Sequence, residues 1–518
     1  MTITGLTSEQ TRSNRILAIR GSRGGVGASM IATNLGIFLA QIGKRVLLVD
    51  ADLCDGAMHN WFSHLETERF ITQVLTDEMP IEKAATATDI TGLYLLAGGR
   101  QMQGSDSPPA EQTDLLWHQI ERAPVDLVII DLPCNFSAFT HTLFARSDIS
   151  VAVTVPLPDA VSSTYRFLNA NWFHRLMHIA GESSEGVSML ISDAMAPHRH
   201  PVTPRQFTEE LQFLDESAYE AACRLSTRFH PQLIVNQIKI REDDDLGSSM
   251  ISAAARWCGI NAGVLGAIGW DDNVWLAQRR SRVLLTEFAR SQVCKDLEHV
   301  VRRILGFGLT ELSRPVAVPP PTESQNLYQL LEIYPGASEE EIRRAYKQIR
   351  RWFGMESLAI RGAASEKARR AFEMKAEKAH ASLLDRSLRR EYDRNHFPEG
   401  MVAEVDEDIG QRDSIAGTVA VTRESLPEVR IHDDDVVDGR FLAALRRKRG
   451  VELADISNRA KVSSRYLAAI EEERFDDLPA AVFTRGFVME FARFLKVDPR
   501  RAASDFMKKF STWENRKH

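Results

Sequence analysis

The chain has 518 residues, is 44% hydrophobic and 26% charged, and carries a formal net charge of −7. That length allows three or more domains, and the net acidity argues against a protein that coats nucleic acid along its whole length. Its five cysteines (Cys54, Cys134, Cys223, Cys258 and Cys294) are odd in number and scattered without a CxxC pair, which suggests neither a disulfide framework nor a zinc site and fits a reducing cytoplasm. The N-terminus lacks the apolar core of a signal peptide, and no apolar run reaches the roughly 18 residues that span a bilayer.

Residues 1–312 alternate short apolar runs with longer amphipathic ones. "RILAIR", "RVLLVDADL", "VDLVIIDLP", "ISVAVTVPLP", "QLIVNQIK" and "GVLGAIGW" predict buried strands. Separated by helical stretches, they predict an α/β doubly wound parallel sheet with helices on both faces. The segment 181–230 fits none of these elements. A closing helix near 286–306 is amphipathic; it either caps the domain or touches a membrane surface.

The first strand runs into "RGSRGGVGASM" and then into a helix. Strand, glycine-rich turn and helix start together predict a phosphate cradle. Gly24, Gly25 and Gly27 allow backbone N–H groups to approach phosphate oxygens, and the helix N-terminus adds partial positive charge. Arg23, Val26, Ala28 and Ser29 complete the loop. Ser29 offers a hydroxyl to Mg²⁺, and the strand-end carboxylates Asp50, Asp52 and Asp131 stand where they can orient the metal and its water. Strand-end carboxylates also cap turns, so the two readings stand side by side.

These residues resemble the MinD/ParA/FlhG family of P-loop ATPases, whose loop reads KGGVGK[ST]. "VDADL", "DLPCN", "LIVNQ" and "LGAIGWDDNVWLAQRRSRVLL" are similar to the family's later motifs. The resemblance implies ATP and Mg²⁺ as cofactors, a nucleotide-sandwich dimer, Asn236 at the adenine, and Ser29, Asp50 and Asp131 at the metal. It also marks a departure. Arg23 stands at the family's first lysine, and Ala28 at its second. A charged hydrogen bond is worth roughly 1.5–3 kcal/mol, so losing one weakens binding about 10–100-fold. Turnover suffers more, because charge develops in the transition state where the lysine would sit. If the enzyme is active, Asp52 is the catalytic candidate.

Residues 313–325 form a proline-rich linker, extended and stiff. Residues 326–396 are helical and basic, with 15 Lys/Arg against 11 Asp/Glu. "YPGASEEEIRRAY" carries a capping box at Ser338 and Glu341. With "AEKAHASLLDRSLRREYDR" it resembles a DnaJ-type J domain. The His-Pro-Asp that stimulates a heat-shock ATPase is replaced by Gly354, Met355 and Glu356. The basic face of Arg343, Arg344, Lys347, Arg350 and Arg351 is either a solvated helix face or a dock for an acidic partner.

Residues 397–438 are strongly acidic with little apolar periodicity, which predicts a disordered spacer. Residues 439–518 carry 18 Lys/Arg against 11 Asp/Glu and return to helical periodicity. Leu442, Leu445, Leu453, Ile456, Leu467 and Ile470 recur at helical spacing, and Ser463 is the expected N-cap of a second helix. The pattern is similar to the RodZ-type helix-turn-helix, a family that grips a cytoskeletal filament. Arg459, Lys461, Ser463, Ser464, Arg465 and Tyr466 are the candidate partner- or DNA-binding residues. Glu471, Glu472 and Glu473 on the same helix argue against a duplex.

The sequence thus predicts a bacterial cytoplasmic adaptor or positioning protein with a pseudo-ATPase or slow nucleotide switch. It would pair with itself, with an intact MinD/ParA-type ATPase, or with a cytoskeletal or polar complex, and it has no transmembrane segment. The alternatives are a DNA-binding transcriptional regulator and an active MinD/ParA-type ATPase.

Overall fold

The computed structural model describes residues 14–62, 65, 68–99, 107–180, 185–195, 202–306, 326–333 and 335–397, then 438–449 and most of 451–517. The proline-rich linker and nearly all of the acidic spacer lie outside these residues. The chain divides into two compact units, residues 1–409 and 410–518.

The first unit is built on an eight-stranded sheet in the order β3-β4-β2-β5-β1-β6-β7-β8. The strands are β1 (Arg15–Gly21), β2 (Val46–Asp50), β3 (Thr86–Ala87), β4 (Leu93–Leu96), β5 (Leu127–Leu132), β6 (Ile149–Thr154), β7 (Gln232–Ile238) and β8 (Gly263–Gly269). All neighbours pair in parallel except the short edge strand β3, which runs antiparallel to β4. Every predicted strand is present; β3 and β4 are additions.

Successive residues of β1 feed opposite cores. Ile16 and Ala18 join one apolar cluster, Leu17 and Ile19 the other. A strand's two-residue period on a sheet covered on both faces requires this, and it explains why these strands read as continuous apolar runs. The helix Gln292–Gly306 buries Val293, Leu297, Val300, Val301 and Ile304 in the second cluster. It is the domain's closing helix.

The unassigned segment is helical. Pro204–Leu214 opens with a capping box of Thr203 and Gln206, and Asp215 caps Glu216–Arg228. These helices seat on Pro158–Ala180, where the Trp172 indole donates to Ser226 Oγ at 3.1 Å.

Residues 326–397 form helices Leu327–Leu330, Glu339–Phe353, Glu366–Leu384 and Arg386–His396. Ser338 and Glu341 form the reciprocal box read from the sequence, at 2.7 and 3.3 Å. Tyr328, Phe353, Phe372 and Leu383 belong to the same apolar cluster as Ile16 and Ala18. This helical segment therefore packs directly on the α/β body.

The second unit contains helices Gly439–Lys448, Ser464–Glu471, Ala481–Phe494 and Pro499–Lys517 around Leu442, Ile456, Leu467, Ile470, Phe491 and Phe506. Among the described residues, no helix is long and apolar enough to cross a membrane.

Candidate functional site

β1 lies at the centre of the sheet and delivers Ser22–Gly27 to its C-terminal edge. Gly25 and Gly27 have φ of +82° and +87°, a left-handed conformation that side-chain-bearing residues rarely hold. A Cβ on Gly27 would also sit 2.5 Å from Asn236 Nδ2. The helix Ala28–Gln41 starts directly after Gly27 with no side-chain cap. Its first N–H groups thus remain available to an anion.

The predicted loop residues divide into two groups. Arg23, Gly24 and Gly25 are exposed, whereas the Val26 side chain and the Ala28 methyl are buried in the core under the loop. Position 28 therefore contributes no cation to the cradle. Ser29 is half-buried, and its hydroxyl lies near the Asp131 carboxyl and partly counters the rise that burial imposes on it.

β2 and β5 pair so that Asp50 lies directly across from Asp131. Asp50 accepts the backbone N–H of Asp52 at 3.2 Å and of Met58 at 3.0 Å. Glycine makes this turn possible, since a Cβ on Gly98 would reach within 2.7 Å of Asp50 Cγ. Burial, only partly offset by these bonds, raises the Asp50 carboxyl to about 6. Burial and then the Asp50 charge raise Asp131 to about 8, the behaviour of two carboxylates sharing one dry site. Asp131 Oδ1 is buried without a hydrogen-bond partner. An orphaned carboxylate oxygen beside a second carboxylate and a hydroxyl fits a divalent cation. Among the described residues no group of three or more metal-ligating side chains forms, so such an ion would draw further oxygens from phosphate and water, as Mg²⁺ does.

Asp52 stands apart from this pair. Its Oδ1 accepts the N–H groups of Cys54 and Asp55, both at 3.0 Å, and organises its own turn. Asn236 is buried at the end of β7 and donates to the carbonyl of Val26 at 2.8 Å; its amide braces the loop from behind.

Three further residues belong to this site and are missing from the sequence reading. Gln237, at φ +59°, donates to Gly25 O at 2.9 Å. Ser163 donates to Ser22 O at 2.6 Å. Arg20 is buried, donates to the carbonyls of Cys134 and Asn135 at 2.7 and 3.3 Å, and lies 3.8 Å over the Phe167 ring. It fastens the turn after Asp131 to β1. Only adjacency to the loop could have flagged Arg20 and Gln237; nothing local marks Ser163.

In the second unit, Arg459, Lys461 and Ser463 lie outside the described residues, and of Ser464 and Arg465 only the helical backbone is described. Tyr466 is half-buried at the margin of the core, where its ring stacks on Phe487 at 5.3 Å. Of the three glutamates, Glu471 is buried against Arg446, Glu473 pairs with Lys509 at 2.7 Å, and Glu472 pairs with Arg474 at 2.7 Å. The repulsion expected of them is mostly neutralised within the unit.

The fold and the site together define a parallel α/β domain with a glycine-rich phosphate loop, similar to MinD and ParA proteins, with a helix-turn-helix domain towards the C-terminal end. Residues 14–168 match the family model of an AAA domain, and residues 441–502 that of a helix-turn-helix domain. The septum site-determining protein MinD of Synechocystis sp. is 32% identical over 159 residues, which is 30% of this chain and 58% of that protein. The chromosome partitioning protein ParA of Caulobacter vibrioides is 34% identical over 152 residues, 28% of this chain and 55% of that one. The chain thus spans a little over half the length of these curated relatives. Among solved structures, MinD complexed with Mg-ADP from Pyrococcus horikoshii is 14% identical, covers 56% of this chain and 96% of its own, and gives a TM-score of 0.35.

Proposed function

We propose that this chain is a bacterial positioning or adaptor protein whose P-loop domain binds MgATP weakly and turns it over slowly. One observation carries the reading. The carboxylate pair Asp50–Asp131 with Ser29 suits Mg²⁺, while position 28 presents a buried methyl instead of an ammonium. The site keeps the parts that hold a nucleotide and lacks the one that most stabilises charge during its cleavage.

The partner surface of this domain is its sheet edge. Phe136, Leu157, Ile240, Trp270 and Trp275 are all large and exposed. They follow the C-terminal ends of β5, β6, β7 and β8, on the same edge of the sheet as the phosphate loop. Apolar side chains around a nucleotide mouth suit cover by a second copy or by an intact relative. Septum-site and chromosome-partitioning functions belong to the relatives by name; a positioning role for this chain is their extension.

Titration of the full chain with ATP and Mg²⁺ tests the switch. Micromolar or weaker binding with slow phosphate release supports it, and ordinary turnover abolished by Asp52→Ala makes the chain an active ATPase.

A second reading, a DNA-binding regulator, gains from the internal pairing of Glu471 and Glu473. It requires duplex binding that weakens steeply between two salt concentrations.

A further inference from the structure

Two of the places where residues 326–397 touch the α/β body bear on the phosphate loop. After the helix Glu339–Phe353 the chain forms a hook whose Ala359, Ile360 and Ala363 are all buried. The buried Tyr165 hydroxyl shares its proton between Ala359 O at 2.5 Å and Met250 O at 3.1 Å. Gly362, at φ +87°, lies so close to the helix Pro158–Ala180 that a Cβ would come within 2.8 Å of Ser162 Cα. At the second place the Trp352 indole donates to Asp245 Oδ2 at 2.8 Å and Arg351 to Asp245 Oδ1 at 3.1 Å. Between them a π-helical turn, Ala254–Cys258, presents Arg256 to Glu332 at 2.6 Å and Trp257 to the rings of Phe353 and Phe372.

Both places adjoin the braces of the phosphate loop. Ser162 and Tyr165 flank Ser163, which holds Ser22 O. Asp245 lies at the far end of the segment leaving β7, whose last residues include Asn236 and Gln237, holding Val26 O and Gly25 O. In a trans peptide the N–H points opposite the preceding C=O. Fixing the carbonyls of Ser22, Gly25 and Val26 from behind therefore fixes the N–H groups of Arg23, Val26 and Gly27 toward the open side, where an anion would lie.

We propose that residues 326–397 are a positioning module for the phosphate loop, holding Pro158–Ala180 and the exit of β7 where Ser163, Asn236 and Gln237 can grip it. This rests on the loop being a nucleotide site. The module's energy goes into preorganisation, which strengthens binding without contacting the ligand.

The test uses the full chain carrying Glu332→Lys with Trp352→Phe, and Arg370→Ala as a control on the module's exposed face. Gly362→Val, whose added carbons meet the Ser162 backbone, separates the module should the pair leave it seated. Amide hydrogen exchange at 357–363 reports undocking. Exchange at 22–29 is expected to rise, and MgATP affinity to fall by at least about five-fold, with the central strands and the control unchanged. An undocked module with unaltered loop exchange and affinity, and only a lower melting temperature, overturns the proposal. The exchange measurement needs no nucleotide. If the wild-type chain binds none, faster loop exchange on undocking still supports the brace and sinks the nucleotide reading instead.

Discussion

Arg446 and Glu471 meet in the core of the helix-turn-helix unit as a two-pronged pair, at 2.5 and 3.0 Å. A further arm of the guanidinium donates to Val451 O at 2.7 Å. The pair ties the unit's first helix to the helix Ser464–Glu471 and to the chain between them.

Removing one partner leaves the other charged and buried. Glu471→Ala is therefore expected to cost about 3–5 kcal/mol of the unit's stability. Replacing both residues with apolar ones of similar size should recover most of that. Urea unfolding of the full chain, followed by hydrogen exchange in residues 439–517, checks both variants.

Ala28→Lys restores an ammonium at the start of the helix Ala28–Gln41. ATP affinity should rise about 10–100-fold, the worth of one charged hydrogen bond. Phosphate release should rise by more than binding does, because the lysine meets charge that grows in the transition state. Titration calorimetry and a phosphate-release assay on the same preparation separate the two effects.

The acidic pair makes a pH-dependent prediction about the metal-free protein. Asp131 is raised from 3.8 to about 8, so within that window the folded chain holds a proton that the unfolded chain has released. Stability then falls as pH rises through the window. Asp131→Asn removes this dependence. Its melting temperature should exceed wild type at pH 8 and approach it near pH 4, while nucleotide binding in the presence of Mg²⁺ should weaken.

His141 gives the opposite slope. It is buried, stacks on Phe167 at 4.9 Å, and accepts a hydrogen bond on Nδ1 from Asn171 at 3.2 Å. Burial, then His174, then Arg20 lower it to about 3. Below its ordinary value of 6.5 the unfolded chain takes up a proton that the folded chain refuses. Stability should fall with decreasing pH by up to about 1.4 kcal/mol per unit over that window. His141→Gln should be less stable at neutral pH but show a flatter acid limb in melting experiments.

Much of the α/β body was legible. Six apolar runs became β1, β2 and β5–β8, because a strand buried on both faces needs little else than an unbroken run. β3 and β4 escaped, being short and lying toward the sheet's edge. Ser338, Glu341, Leu442 and Leu467 were legible because capping and helical spacing are local. Tyr466, a candidate contact residue, is half-buried and packs against Phe487 at the edge of the core; periodicity gives the face of a helix but not which neighbour covers its margin. The glutamates misled for a related reason: Glu471 meets Arg446 and Glu473 meets Lys509 only after the helices pack.

The amino-acid order by itself points to where phosphate would be cradled, to Asp50 and Asp131 at strand ends, and to the lack of charge at residue 28. Those properties depend on residue type and on spacings of a few positions. Only the tertiary structure decides that Asn236, Gln237 and Ser163 hold the loop and that residues 326–397 seat beside those braces. Such contacts join positions more than a hundred residues apart, and their geometry follows from how whole helices and strands pack, which no local pattern encodes.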